Sequence, residues 1–272
     1  MLGLGALVLS LLVGSANAVG LRSCGSPWTR VASGYTAISF DGTNVCVLSK
    51  DHEAVCGSTD PSSWKSVASQ ATDVVTGGDE ILWTNGNNPV ALATTAVGQF
   101  WNGRAYLYER EEDKWRRLAT DGTSICAYIT LWDISTYLEC AQIDQNDVAN
   151  RLDFKLLDIS ISGDSVYAVA DSGVLLRASI SRIASHRSPS MLPIHGISLK
   201  KISSDANSLC GIDENGAIRC ALVQPQKPTD LTWSYPIKGS KPWIDVANAN
   251  GVLYAIDDSN TIYTAEMSSF TE

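Results

Sequence analysis

The chain has 272 residues, a formal net charge of −9 and 44% hydrophobic residues. That length suits one large all-β domain or two smaller ones. The acidic balance repels phosphate backbones and anionic lipid surfaces, so nucleic acid is not an expected partner.

Residues 1–18 read as a secretory signal peptide. Leu4 to Val13 forms an apolar core and Ala16-Asn17-Ala18 fits the small-x-small cleavage rule, although no basic residue stands near Met1. The apolar run is too short for a spanning helix, and no later run is long enough, so no membrane span is expected. The expectation is a secreted, extracellular chain with residues 19–272 as one domain.

In chain order, Leu21 to Pro27 is a short lead-in and Trp28 to Val31 an isolated strand. Ala37 to Phe40, Val45 to Leu48 and Ala54 to Gly57 then make a three-strand set. Trp64 to Val67 repeats the pattern of Trp28, which predicts a fourth strand per set. Gln99 to Lys114 is an insertion carrying Trp101, Tyr106 and Tyr108 ahead of a charged run. Trp115 starts the next inner strand. Thr130 to Thr136 lengthens the third hairpin and puts Trp132 near its tip. Asp144 to Asn150 resembles a calcium loop in its Asp-x-Asn spacing, but Ala and Val interrupt it and the ligating Glu and Gly are missing. No metal or other cofactor is expected. Ser179 to Gly196 reads as a Ser- and Pro-rich loop, and Trp233 to Pro242 as a similar excursion. Arg116-Arg117 and the stretch Arg182 to Arg187 read as solvated surface charge.

The clearest unit is Leu199 to Ala221. Two alternating runs flank the turn Asp213-Glu214-Asn215-Gly216, where Asn and Gly tolerate the positive φ of a tight hairpin. With Cys210 as position zero, its equivalents are Cys46, Leu82, Cys126, Tyr167 and Tyr254, spaced 36, 44, 41, 43 and 44 residues apart along the chain. Eight residues before each stands a branched aliphatic: Ile38, Val74, Leu118, Ile159, Ile202 and Val246. Six units in register indicate a repeat architecture that fills the mature chain.

The cysteines follow the repeat. Cys46 with Cys56 and Cys210 with Cys220 stand ten apart in one hairpin each, and Cys126 with Cys140 occupy the same places in the longer one. Paired antiparallel strands bring facing Cα atoms within about 4.5–5.5 Å, inside disulfide range. Three within-hairpin disulfides are therefore expected, buried free thiols being the alternative, with Cys24 left over. Short strands with no helical period predict radial stacking: an all-β, six-bladed β-propeller of four-stranded antiparallel blades. The strand at Trp28 would join the last blade and close the ring. A parallel β-helix is the alternative, but its repeats are shorter and lack hairpins.

The unit resembles the tectonin repeat. Trp28 with Val31 and Trp64 with Val67 match its opening. Ile38-Ser39, Ile159-Ser160 and Ile202-Ser203 match its next strand, Val166-Tyr167-Ala168-Val169 and Leu253 to Ile256 the third, and Ile262-Tyr263 the fourth. Before the fourth and fifth units Phe154 and Leu192 replace the family Trp. The Cys-Gly-x-Asp hairpin is also similar to disulfide-bearing repeats of Crinkly-type receptors and of regulator-of-chromosome-condensation-like propellers. The tectonin resemblance implies a secreted lectin that binds cell-surface glycans between blades. Trp101, Trp132, Tyr235 and Tyr106 lie off the repeat pattern and are the candidate contacts for a glycan or a protein partner. A protein-binding propeller is the second reading and a glycan hydrolase the third. No Gly-x-Ser-x-Gly elbow is present. The segment Ser58 to Trp64 resembles a sialidase Asp-box but lacks its Gly, so no catalytic residue is assigned.

Overall fold

The structure is a computed structural model that describes residues 26–78, 80–84, 91–94, 100–101, 113–131, 135–142, 150–153, 155–184, 190–224, 227, 229–237 and 241–270. The chain opens with β1 (Thr29–Ser33). A first sheet follows, made of β2 (Tyr35–Phe40), β3 (Asn44–Ser49), β4 (Ala54–Ser58) and β5 (Lys65–Ala68) in that order. The second sheet has β6 (Asp73–Gly77), β7 (Glu80–Thr84), β8 (Ala91–Thr94) and β9 (Phe100–Trp101). The third has β10 (Asp113–Thr120), β11 (Ser124–Leu131), β12 (Ser135–Gln142) and β13 (Asn150–Asp153). A six-stranded sheet comes next: β14 (Leu156–Ser162), β15 (Ser165–Ala170), β16 (Val174–Ser179), β17 (Leu192–Ser204), β18 (Ser208–Asp213) and β19 (Ile218–Leu222). The last sheet contains β20 (Trp243–Ala249), β21 (Val252–Asp257) and β22 (Thr261–Glu266), with β1 paired antiparallel to β22. Every described strand pair is antiparallel.

Local chemistry sets these hairpins. The Asp41 carboxylate accepts the N–H groups of Thr43 and Asn44 at 2.8 and 2.7 Å. Asp121 does the same for Thr123 and Ser124, and Asp205 for Asn207 and Ser208. An Asx turn of this kind reverses the chain without a partner strand. These three turns belong to the three units that carry cysteine pairs. Cys46–Cys56, Cys126–Cys140 and Cys210–Cys220 are disulfide-bonded, each between directly opposed residues of neighbouring strands. The turn at Asp213 is equally local: its carboxylate accepts from the N–H of Asn215 and Ala217, and Gly216 takes φ +73°.

A second device recurs on the first strand of five units. The register shifts between Tyr35 and Ala37, Trp115 and Arg117, Leu156 and Asp158, Leu199 and Lys201, and Trp243 and Asp245. A bulge of one residue bends a strand and re-aims the side chain that follows it. Here the re-aimed residue always stands nine before position zero.

The core lies between sheets, because each short sheet buries its faces only against its neighbours. Ala37, Cys46 and Leu48 of the first sheet pack on Val74 and Ile81 of the second. Ile38, Phe40 and Val47 of the first pack on Ala247, Tyr254 and Ile256 of the last. Cys210 and Ile212 pack on Val246 and Leu253.

Three expectations change. Instead of six separate four-stranded sets there are four such sheets and one of six strands. The cause is β17, which runs unbroken for 13 residues and pairs with β16 through its first half and β18 through its second. The segment Ser179 to Gly196 is not all loop. It contains α1 (Ile180–Ala184), which the all-strand reading missed, and the first residues of β17. Ile180 and Ile183 are buried against Leu138 and Tyr128. Trp233 to Pro242 is not a free excursion, because Ala221 bridges to Trp233 and Ile218 to Ile237 along the edge of β19.

Candidate functional site

The six first strands line a central cavity of about 80 Å³. The positions nine before position zero form one layer around it: Ala37, Asp73, Arg117, Asp158, Lys201 and Asp245, of which all but Asp73 follow a bulge. Each carboxylate accepts a backbone N–H from the next first strand. Asp73 takes Leu118 at 2.7 Å, Asp158 takes Ile202 at 2.9 Å, and Asp245 takes Ile38 at 2.9 Å. Arg117 lies 3.5 Å from both Asp73 and Asp158, and Lys201 lies 3.6 Å from Asp245. Two residues along, serines repeat the arrangement: Ser39 accepts from Thr76 N–H, Ser160 from Ser204 and Ser203 from Asn248.

Burial raises the pKa of Asp73; Arg117, the Leu118 N–H and Lys201 pull the other way without cancelling it. For Arg117, burial disfavours the charge, but Asp158, Asp73 and Asp245 outweigh it and hold the pKa above its usual value. This layer is satisfied by its own members. Its cavity is also far smaller than the roughly 300 Å³ at which ligand sites begin. The layer therefore fastens neighbouring sheets together. Among the described residues no group of three or more His, Cys, Asp or Glu side chains is placed to hold a metal ion.

A groove of about 450 Å³ lies between β19 and the last sheet. Its apolar wall is Leu222, Trp233, Met267 and Phe270, and its polar side carries Asp205, Asn207 and Asn250. Trp233 is half-buried, held by its bridge to Ala221. Asp205 is already engaged, accepting from Asn207, Ser208 and Asn250 N–H groups. It thereby fixes the two turns that hold Asn207 and Asn250 beside the groove.

No family model matches the chain, and no curated protein matches it by sequence. Solved structures do. The beta-propeller domain of Cps50 (Swd1) from Myceliophteria thermophila superposes with a TM-score of 0.56 at 12% identity, covering 88% of this chain and 99% of that one. The fold is a β-propeller. A gluconolactonase from Xanthomonas campestris superposes with a TM-score of 0.63 at 8% identity, covering 88% of this chain and 89% of its own. A chain of the mitotic checkpoint complex gives 0.57 at 8% identity, over 97% and 99%. At these identities the likeness concerns the fold alone.

On this propeller two of the four sequence-derived contacts, Trp101 and Tyr235, fall among the described residues. Trp101 stands in β9 opposite Leu92, so its backbone belongs to an outer strand rather than to an off-pattern insertion. Trp132 and Tyr106 lie outside the described residues. Tyr235 is 91% exposed, between the two bridged residues Trp233 and Ile237. The groove residues were missed, yet Leu231-Thr232-Trp233-Ser234-Tyr235-Pro236-Ile237 alternates with the period of a strand, a readable signal. The Asp-box-like segment is a structural turn. Asp60 caps the 3₁₀ turn Pro61–Ser63, and the Trp64 indole N–H reaches back to Ser58 O at 2.8 Å.

Proposed function

We propose that the protein is a secreted, lectin-like recognition protein that binds cell-surface glycans in the groove beside Trp233. In this reading residues 1–18 are removed and six blades form the ring, with β17 shared by the outer edge of one and the inner strand of the next. Pairing of β1 with β22 closes the circle. The observation that carries the binding reading is the groove's division into an aromatic wall and a rim of Asn and Asp. A sugar ring offers C–H faces to an indole, and its hydroxyls need amide and carboxylate partners. A groove of about 450 Å³ also suits a mono- or disaccharide. Three disulfides fit an oxidising compartment, and the tectonin resemblance supports the same class. The test is a glycan array with the oxidised chain and its Trp233→Ala variant. Saturable binding to one sugar class, lost in a folded variant and with the sugar recovered intact, is the expected result. Binding that survives Trp233→Ala would remove the groove from the proposal.

A second reading, a protein partner, is favoured by Leu222 and Tyr235, which are 72% and 91% exposed beside the groove. Exposed apolar side chains grouped at one edge mark an interaction surface. That reading expects Tyr235→Asp, which lies outside the groove lining, to abolish capture of the partner and to leave glycan binding unchanged.

A further inference from the structure

The groove between β19 and the last sheet reaches one half of a disulfide. Side chains alternate along a strand, so Ile218, Cys220 and Leu222 share one face of β19. Cys220 packs there with Ile237, and Met267 and Phe270 lie against the same cluster. All four line the groove. The bonded partner Cys210 stands in the middle strand β18 and is absent from the groove lining. It is 0% exposed, against 7% for Cys220. The other four bonded cysteines line neither the groove nor the central cavity.

The outer side of this bridge is also the least covered of the three. Cys56 lies opposite Lys65 of β5, and Cys140 opposite Asn150 of β13, each against a paired strand. Among the described residues no such strand lies beyond Cys220. There β19 meets the following segment only in the bridges of Ile218 to Ile237 and Ala221 to Trp233. The Cys220 C=O accepts the Ser234 N–H at 2.8 Å, but the Cys220 N–H donates to the Ser234 hydroxyl, at 3.1 Å. A side-chain hydroxyl thus stands where a ladder would offer a carbonyl. Local opening starts where backbone bonds are few and exposed.

We propose that Cys220 is a thiol-exchange site, which a small thiol reaches through the groove. The thiolate attacks Cys220 Sγ and a bond forms between the two sulfurs. The Cys210–Cys220 bond breaks, and its electron pair leaves on Cys210, which takes up the proton that the thiol gave up. One disulfide replaces another, so no oxidant or reductant is needed. Cys210 shares its cluster with Ile212, Val246 and Leu253, where a thiolate is disfavoured, so it ends as the neutral thiol. The group added to Cys220 stands against Met267 and Phe270 and fills space that a ligand would take. The exchange needs the groove and does not rest on the glycan reading.

The experiment treats the oxidised full chain with 2-mercaptoethanol under native conditions, any free Cys24 thiol having first been capped with N-ethylmaleimide. Samples are quenched at intervals into urea with fresh N-ethylmaleimide and mapped by peptide mass spectrometry. The first product expected carries mercaptoethanol on Cys220 and N-ethylmaleimide on Cys210. It should form at least about tenfold faster than any product of Cys46–Cys56 or Cys126–Cys140, because access to the attacked sulfur governs the rate. Circular dichroism recorded in parallel should stay that of the folded chain. Mercaptoethanol on Cys210 in place of Cys220 overturns the proposal. So does opening of either other bridge at an equal rate, or exchange that waits for loss of the folded signal. None of these readings involves a sugar, so a silent glycan array leaves the result standing.

Discussion

Asp73 shows how one side chain can hold two sheets together at a cost. Its carboxylate is 5% exposed, accepts the Leu118 N–H and lies 3.5 Å from Arg117. Burial nevertheless leaves its pKa above the ordinary 3.8. The sign of the linkage follows. Between the unfolded and folded values the native state binds more protons, so this group's contribution to stability declines as pH rises through that window and is not penalised below it. In Asp73→Asn the amide oxygen still accepts from Leu118 and nothing titrates. The variant should therefore gain on the wild type as pH rises from about 3.5 to 7, whatever its offset, when urea midpoints are compared. A difference that moves the other way would mean that Arg117 dominates the site. A glycine makes a second case at this scale. A Cβ on Gly211 would lie 2.7 Å from Leu199 Cδ1 and 2.8 Å from Lys201 O. The backbone oxygen cannot step aside as a side chain can, so Gly211→Ala should cost about 1–3 kcal/mol in the same urea assay.

At the scale of the element, hairpins and bulges divide the work. Each disulfide staples the two middle strands of its unit, closing loops of 10 or 14 residues. Loops this short restrict the unfolded chain modestly, so Cys210→Ser with Cys220→Ser should lower unfolding free energy by about 2–3 kcal/mol with the fold retained. Circular dichroism during urea titration measures it. The hairpins were legible because their signals are local: Asp-x-Asn-Gly at 213–216, opposed cysteines, and alternating runs around them. The bulges were not. Asp158 and Lys201 look like surface residues in a list of letters. Only the extra residue before each turns it inward, and its partners come from 44 positions away, as in Asp158 to Ile202. The β19 edge was hidden differently. Pro236 and the absence of a ladder made 233–242 look like loop, although Trp233 and Ile237 bridge back. The Ile180–Ile183 turn of helix is too short to leave a periodic trace.

For the molecule as a whole, the arrangement of sheets depends on its ends. Trp28 packs in tilted contact with Trp243 and Phe270, with ring centroids 4.6 and 5.3 Å away, and β1 covers the edge of β22. Removing residues 1–33 would uncover both the Trp243 ring and a row of unpaired N–H and C=O groups, an invitation to edge-to-edge association. The truncated chain should melt at a lower temperature and elute as dimers or larger species in size-exclusion chromatography, while the full chain elutes as one smaller species. The sheet-to-sheet bonds of the central layer would remain, so strand content should change little.

The same pairing has a mechanical meaning. Thr29 faces Thr264 and Ser33 faces Thr261, so the first residue of β1 lies beside the final turn of the chain. A force applied to the two termini would meet these bonds one at a time, from Thr29 inward, and peel them like a zipper. Loading all of them at once in shear is not open to that geometry. Tension on the ends would release β1 at low load, and the stapled hairpins behind it would be the last parts to stretch.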